Sequence, residues 1–393
     1  MNTFRIQLLN KIAPEGLQLL DEQFHVGKDQ EDPHGILVRS AKVDTDLYPS
    51  LLAVARAGAG VNNITVEKAT ARGICIFNTP GANANAVAEL VFIMLGMSAR
   101  NIHSSVAFCK SLADGDNATI TKQVEEEKSA FRGVELSGRT LGVLGLGKIG
   151  VKVANLGIMH GMKVIGYDPF PALENIHELS PQVILARSLR DIVQHVDIFS
   201  VHTPLNDKTR GLVNSALLNQ LPDGAVLVNY ARGPIVDEGA VLAALDRGKL
   251  ATYITDFPST ALLNHPKVLA TPHLGASTEE SEEQCSCMAV NELRAYLRYG
   301  NITHSVNFPT VESLPSDAAH TRFIVINRDV PGMIGFASHT IGSHGINIAS
   351  YLNESNGVIG YNIIDLEQAI SPEVIGKIEA NPDIIRTRTI SFK

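Results

Sequence analysis

Two segments of this chain place reactive side chains directly after short apolar runs. Arg232 lies in Asn229-Tyr230-Ala231-Arg232-Gly233, and His273 lies in Thr271-Pro272-His273-Leu274-Gly275. A guanidinium at a strand end can grip a carboxylate and its neighbouring carbonyl with parallel N–H groups. An imidazole in such a place can take a hydroxyl proton and later return it. Each has a bland reading when taken alone: an ion pair with Asp237 for the arginine, and a satisfied loop histidine for one of 13 histidines. A third stretch, Gly145-Leu146-Gly147-Lys148-Ile149-Gly150, lifts both above that reading.

That stretch follows the strand-type run 140–144 and opens a helical pattern through Val151, Val153, Ala154, Leu156 and Met159. A second strand-type run, 163–167, ends at Asp168. Strand, glycine turn, helix, strand and acid together form a dinucleotide-binding unit. Gly145 permits the tight turn, Gly147 lets backbone amides approach a pyrophosphate, and Gly150 lets helix and strand pack closely. Asp168 can accept from the adenosine ribose hydroxyls and would repel a 2′-phosphate, so the expected cofactor is NAD and the chemistry hydride transfer.

Two further segments suit a small anionic substrate. Arg39-Ser40-Ala41-Lys42 and Arg56-Ala57-Gly58-Ala59-Gly60 combine cations with glycine-flanked amides, which fits a carboxylate or phosphate clamp and equally a capped helix with a tight turn. Thr79-Pro80-Gly81-Ala82-Asn83 is a strand-to-helix corner that could bridge substrate and nicotinamide or simply cap a helix.

The elements that must position these groups alternate between strand and helix. Residues 4–9, 35–38, 52–57 and 74–77 read as buried strands, and a helical pattern runs from Asn83 to about Ser111. A second series has strands at 198–201, 225–229, 252–255 and 268–270, and closes with a helical pattern from Ser277 to Arg298. The expected domains are therefore a discontinuous unit, 1–98 with 284–308, around a dinucleotide unit, 99–283. A Pro/Ser-containing linker, 309–320, then leads to 321–393, whose βαββαβ order reads as a small α+β module separate from that core.

A net charge of −8 over 393 residues, with no basic stripe, argues against nucleic acid as partner. The four cysteines have no zinc-type spacing, so no metal is expected, and free thiols suit a reducing cytoplasm. The N-terminus has no signal-peptide layout, and the longest apolar stretch, 86–99, is too short to span a bilayer, so no membrane association is expected.

Taken together, these segments closely resemble the D-isomer-specific 2-hydroxyacid dehydrogenases. The resemblance rests on Arg56–Ile64, Asn78–Gly81, the glycine turn, Val201–Leu205, Arg232–Glu238 and Thr271–Thr278 in family order. It implies an α/β fold, with a Rossmann NAD-binding domain inserted in a flavodoxin-like substrate-binding domain. The tail, with Asn327–Ile334 and Gly345–Ile348, resembles an ACT domain, a small amino-acid-sensing module. By that resemblance Arg232 and His273 are catalytic. Thr79, Gly145, Gly147, Lys148, Ile149, Gly150, Asp168, Thr203, Tyr230, Ala231, Arg232, Asp256, His273, Gly275 and Ala276 line the NAD site. Arg39, Ser40, Lys42, Gly58, Ala59, Gly60 and Asn83 join Arg232 and His273 in facing a phosphorylated 2-hydroxyacid substrate. In the tail, Asn327, Asp329 and Asn347 would contact an L-serine effector, the competing reading being a dimerisation module without a ligand. A homodimer or homotetramer is implied as well.

One departure from the family pattern stands out. The glutamate that pairs with the catalytic histidine falls a few residues after the position of Asp256, and here Thr255-Asp256-Phe257-Pro258-Ser259-Thr260-Ala261 contains none. Without it the imidazole is expected to be less basic, so that ketoacid reduction fades at lower pH. Asp256 itself, Glu279 or Glu282 could substitute. The gap also leaves room for another class of function, a non-catalytic NAD(H)-sensing interaction protein, against which the retained Arg232 and His273 count.

Overall fold

The computed structural model describes residues 3–392. The chain divides into two compact units, Met1–Asn83 with Glu279–Lys393, and Ala84–Thr278. The first boundary falls before the helix Ala84–Ala99 rather than after it, because Val87, Val91, Phe92 and Leu95 bury with Leu141, Val153 and Val164 of the second unit.

In the first unit β1 (Phe4–Leu8), β2 (Phe24–Gly27), β3 (Gly35–Val38), β4 (Ala53–Arg56) and β5 (Cys75–Phe77) form a parallel sheet in the order β2-β1-β3-β4-β5. That is the flavodoxin-like winding expected. The edge strand β2 was not foreseen, since only Phe24 of its four residues is buried.

The second unit contains β6 (Thr140–Leu144), β7 (Lys163–Tyr167), β8 (Ile184–Leu185), β9 (Ile198–Val201), β10 (Ala225–Asn229), β11 (Leu250–Thr255) and β12 (Val268–Ala270). They form one parallel sheet in the order β12-β11-β10-β9-β6-β7-β8, with the Rossmann reversal at β6/β9. The helical pattern expected over 83–111 is broken: helices Ala84–Ala99 and Ile102–Ser111 meet at Asn101, with φ of 50°. Val134 N–H takes the Ala99 carbonyl at 2.8 Å, which stops the first helix. A further helix, Asn117–Glu127, starts at Asp116, whose carboxylate accepts from the N–H groups of Ala118 and Thr119.

The tail strands β13 (Thr321–Arg328), β14 (Ile348–Ser355), β15 (Ile359–Leu366) and β16 (Ile384–Ser391) make an antiparallel sheet ordered β14-β15-β13-β16. One face packs on helices Met333–Gly342 and Pro372–Glu379 through Phe323, Val325, Ile364 and Leu366. The other face is not free. Ile324, Ile326, Ile359, Tyr361, Ile363 and Ile390 share a core with Phe4, Ile6, Phe24, Phe77, Leu293 and Leu297. The separate module read from sequence is thus part of the first unit, because both faces of its sheet are apolar.

Polar ties reinforce that union. Arg388 donates to the carbonyls of Tyr296, at 2.9 Å, and Leu297. Arg322 reaches the Tyr299 carbonyl at 2.9 Å, and the Tyr361 hydroxyl reaches that of Gly300 at 2.8 Å. At the end of helix Glu279–Tyr299 the carbonyls of Tyr296, Leu297 and Tyr299 thus accept from tail side chains. Arg322 and Asp365, 0% and 1% exposed, pair as a two-pronged fork at 2.7 and 3.0 Å. Residues expected to form a loose linker are also pinned: Val311 bridges Ile302, and Ser316 N–H donates to Asp365 at 3.0 Å.

Candidate active site

The glycine turn has the geometry its spacing implies. Gly145 has φ of 93°, and a Cβ there would stand 2.8 Å from the His202 carbonyl group. A Cβ on Gly150 would lie 1.9 Å from the Gly145 oxygen, so helix and turn can approach only without one. Gly147 differs, since a Cβ there would meet nothing within 4 Å. It opens the helix Lys148–Met159 with no side-chain cap, leaving N–H groups for an anion.

Asp168 braces the turn by accepting from Leu146 N–H at 2.8 Å and Phe170 N–H at 2.9 Å. Lys148 pairs with Glu178 at 3.2 Å, and Ile149 packs on the apolar cluster beneath. Thr203, beside the turn, is 8% exposed, and its hydroxyl has no hydrogen-bond partner among the described residues. Next to it, burial pushes His202 down to about 3, so its ring, 2.7 Å from Ser200 Oγ, stays neutral and is no acid–base group.

Arg232, Asp256 and His273 follow β10, β11 and β12, which are neighbours in the sheet. All three emerge at the carboxyl edge that also carries the glycine turn, where open α/β sheets bind ligands. The buried Asn229 side chain closes the first turn, accepting from Ala231 N–H at 3.1 Å and donating to the Arg232 carbonyl at 3.0 Å. Arg232 is exposed, and one of its guanidinium nitrogens donates to the Ala231 carbonyl at 2.7 Å.

Asp256, 2% exposed, organises the third turn. Its carboxylate accepts from Thr271 Oγ1 at 2.5 Å and from the N–H groups of Leu274 and Gly275, each at 2.8 Å. Tyr230 joins this network through Thr271 at 3.1 Å, and burial pushes its phenol up to about 12. His273 is exposed and sits at φ of 56°, a left-handed conformation rarely adopted by residues with a Cβ. Ala276 is half-buried beside it.

In the first unit, the amides expected at a substrate loop are partly occupied. Asn10 Oδ1, unnoticed in the sequence, accepts from the consecutive N–H groups of Arg39, Ser40 and Ala41 at 2.9, 2.9 and 3.0 Å. Arg39 pairs with Glu282 at 2.7 Å, whereas Ser40 and Lys42 are exposed. Gly58, with φ of 149°, donates to Thr79 Oγ1 at 2.8 Å, and Ala59 O accepts from Asn78 at 2.6 Å. Thr79 is therefore fully buried as a strut of the 58–60 loop. The Asn83 side-chain oxygen is buried without a partner among the described residues.

In the tail, the structure corrects the reading of Asn327. It is 3% exposed, and its amide is spent on the Arg328 carbonyl and on Asn362, both at 2.7 Å. Asp329 and Asn347 are exposed.

Comparison with known proteins decides the family. Residues 102–275 match the family model for the D-isomer specific 2-hydroxyacid dehydrogenase, NAD binding domain. A D-3-phosphoglycerate dehydrogenase of Haemophilus influenzae is 32% identical over 375 residues, covering 92% of this chain and 87% of that protein. This chain belongs to the D-isomer-specific 2-hydroxyacid dehydrogenases. D-3-phosphoglycerate dehydrogenases of Bacillus subtilis and Homo sapiens are 34% and 40% identical over 78% and 69% of this chain. The chain spans only 60% and 50% of the length of those two proteins. Among solved structures, an NAD+-bound 3-phosphoglycerate dehydrogenase of Entamoeba histolytica is similar with a TM-score of 0.62 and 27% identity, covering 79% of this chain and all of that one. A glyoxylate reductase of Paecilomyes thermophila gives 0.64 and 25%, covering 78% of this chain and 99% of that one.

Of the substitutes considered for the absent glutamate, Asp256 and Glu282 are otherwise engaged. Both Asp256 oxygens hold the turn itself, and Glu282 is on Arg39. Glu279 is exposed at the start of its helix, in the first unit. Within the second unit, what lies against the His273 ring is the ring of Phe257.

Proposed function

We propose that this chain oxidises D-3-phosphoglycerate to 3-phosphohydroxypyruvate with NAD, the first step of L-serine biosynthesis. The observation that carries this reading is the placement of Arg232 and His273 on strand ends flanking β11, on the sheet edge that bears the glycine turn. The residues present fit the cofactor: Gly147 leaves an open approach to helix N–H groups, Asp168 disfavours a 2′-phosphate, and the Thr203 hydroxyl beside the turn has no partner among the described residues. When bound, the nicotinamide supplies the hydride acceptor.

Arg232 holds the substrate carboxylate and the C2 oxygen, so negative charge growing on that oxygen meets a fixed cation. His273 accepts the C2 hydroxyl proton as the carbonyl forms and returns it in the reverse direction. The reading assigns the phosphate to Arg39 and Lys42, with the amides of Gly58, Ala59 and Gly60, Ser40 and Asn83 as polar contacts. It extends to a cytoplasmic homodimer or homotetramer. L-serine would act at the tail through Asp329 and Asn347.

NADH formation on a panel of 2-hydroxyacids tests this. D-3-phosphoglycerate should exceed 2-hydroxyglutarate, and His273→Ala should lose about 10²–10⁴-fold in turnover. Equal or faster oxidation of 2-hydroxyglutarate would overturn the substrate assignment.

A further inference from the structure

Phe257 lies edge-on to the His273 imidazole, with ring centroids 5.3 Å apart and planes at 68°. The same side chain closes on the neighbouring turn, since a Cβ built on Gly233 would stand 3.3 Å from Phe257 Cβ. Because β11 runs between β10 and β12, one half-buried side chain lies beside the Arg232 turn at its base and touches the His273 ring with its phenyl group. Its own backbone is fixed by Phe257 N–H donating to Thr255 Oγ1 at 3.2 Å, and Pro258 follows.

The His273 backbone is held by bonds of its N–H to Asp256 O and Thr271 O, at 3.2 and 3.0 Å. No side-chain hydrogen bond among the described residues orients the imidazole itself. A left-handed residue on an exposed turn has freedom about its side-chain torsions unless something packs on it. Here that contact is aromatic, and edge-on ring pairs have a preferred geometry.

We propose that Phe257 is a positioning residue. Its ring sets the plane of the His273 imidazole. This rests on the dehydrogenase reading above. The ring holds the base by shape, and within the second unit no side-chain hydrogen bond among the described residues holds it.

The test compares Phe257→Ala, Phe257→Tyr and Phe257→Glu in the full chain. It reads NADH formation against pH, NADH affinity by fluorescence, and the imidazole C–H resonances of His273 by NMR. Phe257→Ala should lower kcat about 10–100-fold through misplacement of the base, with NADH affinity kept within about twofold. Its His273 resonances should move as the ring current disappears. Phe257→Tyr should keep kcat within about threefold. Phe257→Glu should move the acidic limb of the kcat/KM profile about one unit to higher pH, because a carboxylate favours the imidazolium. Wild-type kcat and unmoved resonances in Phe257→Ala would overturn the proposal, as would equal losses in the Ala and Tyr variants. Absence of turnover in the wild type would instead defeat the dehydrogenase reading, and the resonances would still decide whether Phe257 sets the imidazole.

Discussion

The carboxylate of Asp256 accepts the backbone N–H of Gly275 at 2.8 Å, across a turn whose apex is His273. The turn depends on that acceptor, since Leu274 N–H and Thr271 Oγ1 converge on the same group. Asp256→Asn puts an amide donor against at least one of these donors. It should cost about 2–3 kcal/mol, read by urea unfolding, and turnover should fall with it. An unchanged unfolding midpoint would show that the turn closes without the charge.

Two of the three glycines of the turn should separate under substitution. Gly147→Ala, with open space around its Cβ, should leave the melting temperature within about 1 °C while weakening NADH binding at least tenfold. Gly150→Ala places a methyl 1.9 Å from a backbone oxygen and should destabilise the fold whether or not cofactor is present. Calorimetry with and without NADH distinguishes the two, and a Gly147→Ala protein that binds NADH normally would contradict the cofactor assignment.

The strand-end positions of Arg232 and His273 could be read from short apolar runs and glycine spacing, whereas the two sheet windings came with the family resemblance and the exposed edge strands β2 and β8 carried no such signal. What escaped was set by partners remote in the chain. Asn10 looks like any polar loop residue until three amides from 39–41 close on it. The helix Asn117–Glu127 buries none of its residues and so has no apolar stripe to announce it, although Asp116 supplied an N-cap signal. The tail's union with the first unit was hidden because Arg322, Arg386 and Arg388 interrupt the apolar alternation on β13 and β16. Those arginines look solvent-facing in sequence, yet they cap helix and loop carbonyls.

Arg322→Met tests that union. The substitution leaves Asp365, 1% exposed, without its cation, and should destabilise the first unit by about 3–5 kcal/mol. Chemical denaturation followed at Tyr296 and Tyr361 by near-ultraviolet circular dichroism reads the effect. A loss under 1 kcal/mol would mean that the tail's sheet is held by its apolar face alone.

Glu292 makes stability depend on pH. It is 5% exposed, lies 2.6 Å from His304 Nδ1, and burial pushes its carboxyl up to about 9. An acid that holds its proton more tightly when folded loses stabilising value as pH rises from the unfolded value, near 4.5, toward 9. Glu292→Gln stays neutral throughout, so its melting temperature should exceed that of the wild type by several degrees at pH 8.5 and by little at pH 5. The same difference at both values would show that the carboxyl titrates normally.

The first unit is assembled from two stretches separated by Ala84–Thr278, and a core residue such as Ile6 joins the cluster it shares with Leu293 and Ile326 only after that insertion has been made. At about 5–20 residues per second that delay is on the order of 10–40 s on the ribosome. Throughout it, β1 to β5 expose an apolar face that only later synthesis can cover. The inserted unit has every strand of its own sheet in hand by then, so newly made chains need shielding over β1 to β5 rather than over the insertion.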